Sequence, residues 1–300
     1  MKRIGIFSIV IILIILAQAF VTAGEKAPVL VTPEWLAAHL NDPDLVILNL
    51  GQSARDYRRG HIPGARFLWM SSIAASNPEL SFELVPVEQL DTLFEGLGVS
   101  NDSRIVLYGV NVSPTARAYI TLDYLGMGDR TSILDGGIDA WKAAGHPVTL
   151  ESSSYKRGSF TPRVKNDAIV DVEYMKSHMN TNGVTIVDAR APQFYNGVGG
   201  GFPRPGRIPG AHNLYYTTLL DSTNKYLPLD SIKAKFAAAG IHPDQEIITY
   251  CHVGQTASTV YLGAKQLGYK VHLYDGSFED WSGRDELPIY IEAKKDSVKK

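Results

Sequence analysis

An internal repeat runs through most of this 300-residue chain and limits what the chain can fold into. The sequence GHIPGA at residues 60–65 returns as GRIPGA at residues 206–211, and IVLY at residues 105–108 matches IITY at residues 247–250. Two further pairs follow in the same order: Asp135 with Asp275, and Trp141 with Trp281. A gene duplication explains matches that keep their order over so long a stretch, so we expect two copies of one fold.

The length of the chain agrees with two domains. One hydrophobic core rarely organises a chain of this size, and domains of about 100–150 residues are common. We assign the first domain to residues 28–150 and the second to residues 166–292. Residues 151–165 show neither helical nor strand periodicity and are expected to be the linker. The lysine-rich residues 293–300 are expected to form a solvated basic tail.

Short runs of β-branched residues alternate with helical patterns in each domain, which is typical of parallel βαβ units. The runs of the first domain cover residues 45–50, 105–108 and 132–134, and those of the second cover residues 184–187, 246–250 and 271–274. The fold class that we predict is therefore α/β, with two tandem domains that each hold a small parallel sheet flanked by helices.

The N-terminus has the pattern of a signal peptide. Lys2 and Arg3 precede an apolar run over residues 4–16, and small residues follow. Cleavage after Ala19 or after Ala23 satisfies the small-residue rule, so we assign residues 1–23 to a leader and expect a periplasmic or secreted protein with no membrane contact after cleavage. The alternative is an uncleaved helix that anchors the protein, because the apolar character extends almost over the roughly 20 residues that a membrane span needs.

Charge and residue spacing bear on the possible ligands. The formal net charge is −2, which gives no electrostatic reason to expect a nucleic-acid partner. The single cysteine and the scattered histidines show no metal-ligand spacing, and the sequence has no phosphate-binding glycine motif. We therefore predict neither a metal nor a cofactor. The sequence does not indicate an oligomeric state.

Cys251, the one cysteine of the chain, occupies a position that favours reactivity. It follows a predicted strand, and the short loop of residues 251–256 leads into a helical pattern that begins near Ala257. Backbone N–H groups of such a loop, together with the helix dipole, favour an anion and hence a nucleophilic thiolate. The alternative is a buried, inert cysteine. The equivalent position of the first domain is Gly109, so only the second domain can perform thiol chemistry.

The motifs of the second domain resemble the rhodanese family in their order. They are Asp188-Ala189-Arg190, Tyr195, RIPGA at residues 207–211, the Cys251 loop, and Asp275-Gly276 with Trp281. This resemblance implies a two-domain sulfurtransferase with an inactive N-terminal copy. It also implies a persulfide on Cys251, a small donor such as thiosulfate or 3-mercaptopyruvate, and a thiol or cyanide as the acceptor.

The resemblance also implies roles for individual residues. Cys251 would be the nucleophile, and five loop residues would hold the persulfide: His252, Val253, Gly254, Gln255 and Thr256. Arg190 would bind the donor anion with Asp188 orienting it, although Arg190 could instead form only a strand-end salt bridge with Asp188. The matching positions of the first domain are Asn49 and Gly51.

The identity of the sulfur donor stays open. Family members specific for thiosulfate tend to have two basic residues after the cysteine, and those specific for mercaptopyruvate tend to have a Gly-Ser pair. This chain has His252 and Val253, so the sequence does not fix the donor.

A phosphatase or arsenate reductase is disfavoured, because no arginine follows the loop until Arg284. A persulfide carrier that delivers sulfur to a partner protein is the main alternative. The glycine-rich loop at residues 197–206 is expected to be mobile, and could either cover a substrate or dock such a partner.

Overall fold

The computed structural model describes residues 26–292. The predicted leader (residues 1–23) and the predicted basic tail (residues 293–300) lie outside the described residues. No helix within residues 26–292 has the length and apolar character that crossing a membrane requires.

Each repeat forms a five-stranded parallel sheet flanked by helices, which confirms the predicted fold class. The strands of the first domain are β1 (Leu30–Val31), β2 (Leu45–Gly51), β3 (Arg66–Trp69), β4 (Ala74–Ala75), β5 (Glu83–Leu84), β6 (Arg104–Gly109) and β7 (Thr131–Leu134). Its α-helices are α1 (Pro33–His39), α2 (Arg55–Arg59), α3 (Val87–Gly96), α4 (Val112–Tyr124) and α5 (Gly137–Ala143), and its 3₁₀ helices are Met70–Ser72 and Gly128–Arg130.

The second domain repeats this series. Its strands are β8 (Ile169–Val170), β9 (Val184–Asp188), β10 (His212–Asn213), β11 (Glu246–Tyr250) and β12 (Val271–Tyr274). Its helices are α6 (Val172–His178), α7 (Pro192–Tyr195), α8 (Leu229–Ala238), α9 (Ala257–Gln266) and α10 (Ser277–Gly283), with a 3₁₀ helix at Tyr216–Leu219.

The two sheets have the same strand order, β1-β7-β6-β2-β3 in the first domain and β8-β12-β11-β9-β10 in the second. The central strands β6 and β11 are buried on both faces, as expected for parallel sheets covered by helices. Strands β4 and β5 form a small antiparallel pair outside the first sheet.

The repeated GxIPGA motif makes the same contact in both domains. The backbone N–H of Ile62 donates to the Tyr108 hydroxyl at 3.1 Å, and that of Ile208 donates to the Tyr250 hydroxyl at 3.2 Å. Each tyrosine lies on a central strand and is fully buried. The motif therefore fixes the chain against the sheet in both domains, with or without a cysteine beside it.

The domains pack through α4 and α9, and one buried apolar cluster extends across both. Asp123 on α4 lies at the centre of this interface, with only 2% of its side chain exposed, and binds Lys165 and Lys265 at 3.0 and 2.6 Å. The Tyr261 hydroxyl also donates to it. Burial alone would raise the pKa of Asp123, but the two lysines lower it overall. The carboxylate is therefore ionised and joins the two domains.

Candidate active site

Cys251 lies at the carboxyl end of β11, and only 1% of its surface is exposed to solvent. Strand β9 is the neighbour of β11, and Tyr250 pairs in register with Asp188. Because the carboxyl ends of parallel strands meet at one edge of the sheet, this pairing brings Asp188 and Arg190 next to the cysteine. Cys251 is thus buried beside a fixed pair of charges rather than on the surface.

The loop after Cys251 offers unpaired donors. Within residues 26–292, the backbone N–H groups of residues 252–256 donate no hydrogen bond to another backbone or side-chain group. Gly254 has a φ of +75°, and a Cβ there would lie 2.7 Å from the Asp275 carbonyl oxygen, so only glycine fits. The Ser258 hydroxyl closes the loop by donating to the Gly254 carbonyl at 3.0 Å. A curled loop with free amides is a concave site for an anion.

The turn between β12 and α10 forms hydrogen bonds with the backbone of Cys251. The Cys251 N–H donates to the Ser277 hydroxyl at 3.2 Å, and the Phe278 N–H donates to the Cys251 carbonyl at 3.1 Å. Ser277 has a φ of +53°, which is uncommon for a residue with a side chain. Sequence analysis did not identify Ser277. The only signal for it was its position directly after Asp275-Gly276.

Asp188 and Arg190 form a buried ion pair, which was the alternative interpretation of these two residues. The Arg190 Nε and Nη2 atoms lie 3.0 and 2.6 Å from the Asp188 carboxylate, and Nη2 also donates to the Gly206 carbonyl at 2.7 Å. Burial would lower the pKa of Arg190, but Asp188 raises it overall, so the guanidinium stays charged. Nη1 makes no hydrogen bond within the described part of the chain and is the donor available to a ligand.

His252 is half-buried beside two aromatic rings. Its ring centroid lies 4.9 Å from that of Phe194 and 5.6 Å from that of Phe202. Burial and, to a smaller extent, the charge of Arg190 lower the pKa of His252. The imidazole is therefore neutral at neutral pH, and the fixed positive charge beside the cysteine comes from Arg190.

The glycine-rich loop contacts His252, the residue after Cys251. Phe202 contacts His252 and also Phe278, at 5.7 Å between ring centroids. Arg204 fixes the loop to the end of α10 by donating to the carbonyls of Ser282 and Leu287 at 3.0 and 2.9 Å. Phe202 and Arg204 thus connect the loop to His252 and to the end of α10. Neither contact was predictable from the glycine content.

Tyr216 and the loop residues Gln255 and Thr256 line a cleft of about 960 Å³ that extends to the carboxyl edge of the first sheet. Burial raises the pKa of the Tyr216 hydroxyl, and the nearby Tyr215 and Cys251 add to this. The opposite wall includes Asn49 and Asn111 of the first domain. The sites of the two domains therefore face a common cleft, and sequence analysis gave no signal for it.

The first domain keeps the geometry of the site without its chemistry. Tyr108 pairs with Asn49 as Tyr250 pairs with Asp188, and Gly109 occupies the place of Cys251. Within residues 26–292 no three His, Cys, Asp or Glu side chains are grouped as a metal site would require.

Comparison with known proteins gives consistent matches. The model of the rhodanese-like domain matches residues 32–144 and residues 171–284, one match in each repeat. A thiosulfate sulfurtransferase of Azotobacter vinelandii is 32% identical over 266 residues, which cover 88% of this chain and 97% of that protein. The sulfur carrier protein TtuD of Thermus thermophilus is 30% identical over 277 residues, covering 87% and 96%. The crystal structure of SseA, a 3-mercaptopyruvate sulfotransferase of Escherichia coli, superposes with a TM-score of 0.76 at 28% identity, covering 84% of this chain and 99% of that one.

Proposed function

The chain belongs to the rhodanese-like family of sulfurtransferases, and we propose that its second domain transfers sulfane sulfur through a persulfide on Cys251. The observation that carries this proposal is the loop of residues 252–256, whose backbone N–H groups find no acceptor within residues 26–292. A cysteine at the carboxyl end of a central strand, with free amides around it, can hold a second, negatively charged sulfur atom.

The reaction has two displacement steps. In the first, the Cys251 thiolate attacks the outer sulfur of the donor, and the donor's bond to that sulfur breaks with its electron pair on the departing group. Thiosulfate would release sulfite, and 3-mercaptopyruvate would release pyruvate after protonation of the departing carbon. In the second step, a thiol or cyanide acceptor attacks the outer sulfur, and Cys251 leaves as thiolate. We expect ping-pong kinetics, because the donor departs before the acceptor reacts.

The charges beside Cys251 suit a small anionic donor. Arg190 is the permanent cation of the site, and its Nη1 atom is the donor that Asp188 and Gly206 leave available. His252 is neutral at neutral pH because burial lowers its pKa, so it adds a donor or acceptor but no charge. A sulfonate or carboxylate group of the donor would bind Arg190, and this contact alone does not choose between thiosulfate and 3-mercaptopyruvate.

A carrier that hands its persulfide to a partner protein is the second candidate. The relative named as a sulfur carrier favours it, since that protein matches this chain over 87% of its length. The glycine-rich loop also favours it, because Val198 on that loop is exposed and Phe202 contacts His252, so a partner that docks there would lie beside Cys251. Both candidates use the same Cys251 persulfide and differ only in the acceptor.

We also propose that the protein acts outside the cytoplasm, in the periplasm or as a secreted protein. Support comes from the leader pattern of residues 1–23, with an uncleaved membrane anchor as the alternative. Cell fractionation and N-terminal sequencing of the expressed full-length chain test this. A mature N-terminus after residue 19 or 23 supports export with cleavage, and an intact N-terminus in the membrane fraction supports the anchor.

The test of the activity is sulfur transfer to cyanide from thiosulfate and, separately, from 3-mercaptopyruvate, in the wild-type protein and in Cys251→Ser. Mass spectrometry after incubation with the donor alone shows whether Cys251 gains one sulfur atom. We expect the added mass and the turnover in the wild type and neither in the variant. The added mass with negligible turnover identifies a carrier. Equal turnover in both proteins refutes the persulfide mechanism.

A further inference from the structure

A buried arginine of the first domain reaches the site of the second. Arg117 lies on α4 and has no exposed surface. Its Nη1 atom lies 2.5 Å from the Asp275 Oδ1 atom, and 3.1 Å from the position that a Cβ on Gly254 would occupy. The guanidinium of the cysteine-less domain therefore lies against the loop that holds Cys251.

A contribution to folding stability does not explain why the charged Arg117 is buried at this position. The three guanidinium nitrogens of Arg117 are buried and make no hydrogen bond within residues 26–292, so the guanidinium is left with its ion pair to Asp275 and the Phe82 ring, 5.9 Å away. A buried ion pair with poor geometry recovers little of its desolvation cost, and apolar residues of similar volume often replace such pairs without loss. A different role is needed to account for a full charge at this position.

The contacts of Asp275 indicate that role. Its second carboxylate oxygen accepts the backbone N–H of Leu84, on β5 of the first domain, at 2.9 Å. Asp275 begins the turn whose Ser277 accepts the Cys251 N–H and whose Phe278 donates to the Cys251 carbonyl. Arg117 and Leu84 together fix the start of the turn that positions Cys251.

Within residues 26–292, the second domain provides no equivalent arginine to the Asp135 turn of the first domain. Asp135, the counterpart of Asp275, accepts the backbone N–H of Tyr226 from the second domain at 3.1 Å. The counterpart of Arg117 on α9 is Thr259, at the offset of 142 residues that relates the two central strands. Both turns are therefore held across the interface, but the partly exposed Lys225 approaches the Asp135 turn, whereas the fully buried Arg117 approaches the Asp275 turn.

Other charges near this cluster come from both domains. Glu83 of β5 faces Asp275 and Arg117, while Glu279 and Asp280 on α10 are more distant carboxylates that also act on it. Burial and, next, Asp275 raise the pKa of Glu83 to about 8, whereas Arg117 opposes this. Near neutral pH Glu83 is protonated, and Asp275 is the carboxylate that directly meets the charge of Arg117.

We propose that Arg117 is a positioning residue for sulfur transfer, which fixes the Asp275 turn beside the Cys251 loop from the domain that has no cysteine. This inference rests on the proposed function for its catalytic consequence, but its effect on the Cys251 thiol does not require turnover.

The test compares Arg117→Met, Arg117→Lys and the matched control Thr259→Val. Because Cys251 is the only cysteine, the rate of alkylation by iodoacetamide reports on this thiol alone. We expect the alkylation rate of Arg117→Met at pH 7 to change by about tenfold, because the turn that positions the Cys251 thiol is no longer held by the ion pair. The turnover number with the better donor should fall by a similar factor, with a smaller change in KM. Arg117→Lys should restore most of the alkylation profile, and Thr259→Val should match the wild type.

Circular dichroism decides whether each variant is folded. A folded Arg117→Met protein with the wild-type alkylation profile overturns the proposal. If Arg117→Met does not fold, Arg117→Gln, which removes the charge but keeps hydrogen-bond donors, takes its place. The proposal then predicts an altered alkylation rate in the folded Arg117→Gln variant, and a wild-type rate overturns it. If wild-type protein shows no sulfur transfer, the proposed function fails, while the alkylation comparison still decides the role of Arg117.

Discussion

Glu83 links the stability of this protein to alkaline pH. The residue lies on β5 at the domain interface, and its Oε1 atom is buried without a hydrogen-bond partner within residues 26–292. Burial and the nearby Asp275 raise its pKa from 4.5 to about 8. The folded protein therefore prefers the protonated carboxyl, whereas the unfolded chain ionises at its ordinary value. We predict that Glu83→Gln makes the folded protein more tolerant of alkaline pH.

The sign and the size follow from this difference. Below pH 4.5 the carboxyl is protonated in both states, so its contribution to stability is fully present. The contribution is lost as the pH rises through about 8, because the unfolded state has released a proton that the folded state still holds. Each pKa unit corresponds to about 1.4 kcal/mol. Glu83 is only partly buried, so solvent screening reduces the total, and we expect about 1–2 kcal/mol rather than the full value.

The assay is the melting temperature of the wild type and of Glu83→Gln from pH 5 to pH 9. A change of about 1–2 kcal/mol corresponds to about 2–8 °C in a protein of this size. We expect similar melting temperatures at pH 5 and a higher one for Glu83→Gln at pH 9. Glu88→Gln, at an exposed position of α3, is the control and should follow the wild type. Parallel changes of the melting temperature in the wild type and Glu83→Gln between pH 5 and pH 9 would refute the reasoning.

Three further predictions concern the interface and the site. Gly254→Ala should destabilise the Cys251 loop by about 1–3 kcal/mol and abolish most sulfur transfer, because φ is positive there and a Cβ would meet the Asp275 carbonyl at 2.7 Å; thermal melting and the cyanide assay measure both. Asp123→Asn should lower the free energy of unfolding by about 1–2 kcal/mol in urea titration, since the two lysines that it binds are partly exposed. Phe202→Ala should expose His252 and raise its pKa towards the ordinary value, which NMR titration of the imidazole would detect as a higher midpoint.

The fold could be predicted because its signals are periodic and occur twice. The β-branched run at residues 271–274 coincides with β12 (Val271–Tyr274), and the run at residues 45–50 falls within β2 (Leu45–Gly51). Each strand carries its own apolar signal, and the second copy fixes which segments are equivalent. The place of Cys251 at a strand end follows from the same pattern, because the apolar run stops at Tyr250.

The support of the site could not be predicted in this way. Arg117, Ser277 and Phe202 come from an interface helix, a turn and a loop that lie far apart in the sequence. Nothing in the sequence around them predicts that they meet, because their contacts depend on how the domains pack and on how the glycine-rich loop folds over His252. Arg190 shows a related limit. The sequence left anion binding and a salt bridge as alternatives, and the buried guanidinium pairs with Asp188 while retaining one free donor.

The first domain, which has no cysteine, covers a surface of the second domain, and this contact explains its role. Helix α9 begins directly after the Cys251 loop, and its residues from Ala257 to Ala264 are buried, with α4 of the first domain packed against it. An isolated second domain would expose the face of this helix that includes Tyr261, whose hydroxyl donates to Asp123 of α4, and would lose the contact of Leu84 with Asp275. Both losses occur next to the segments that hold Cys251. The first domain can therefore lose its own cysteine and anion-binding residues without becoming dispensable, because the geometry of the remaining active site depends on it.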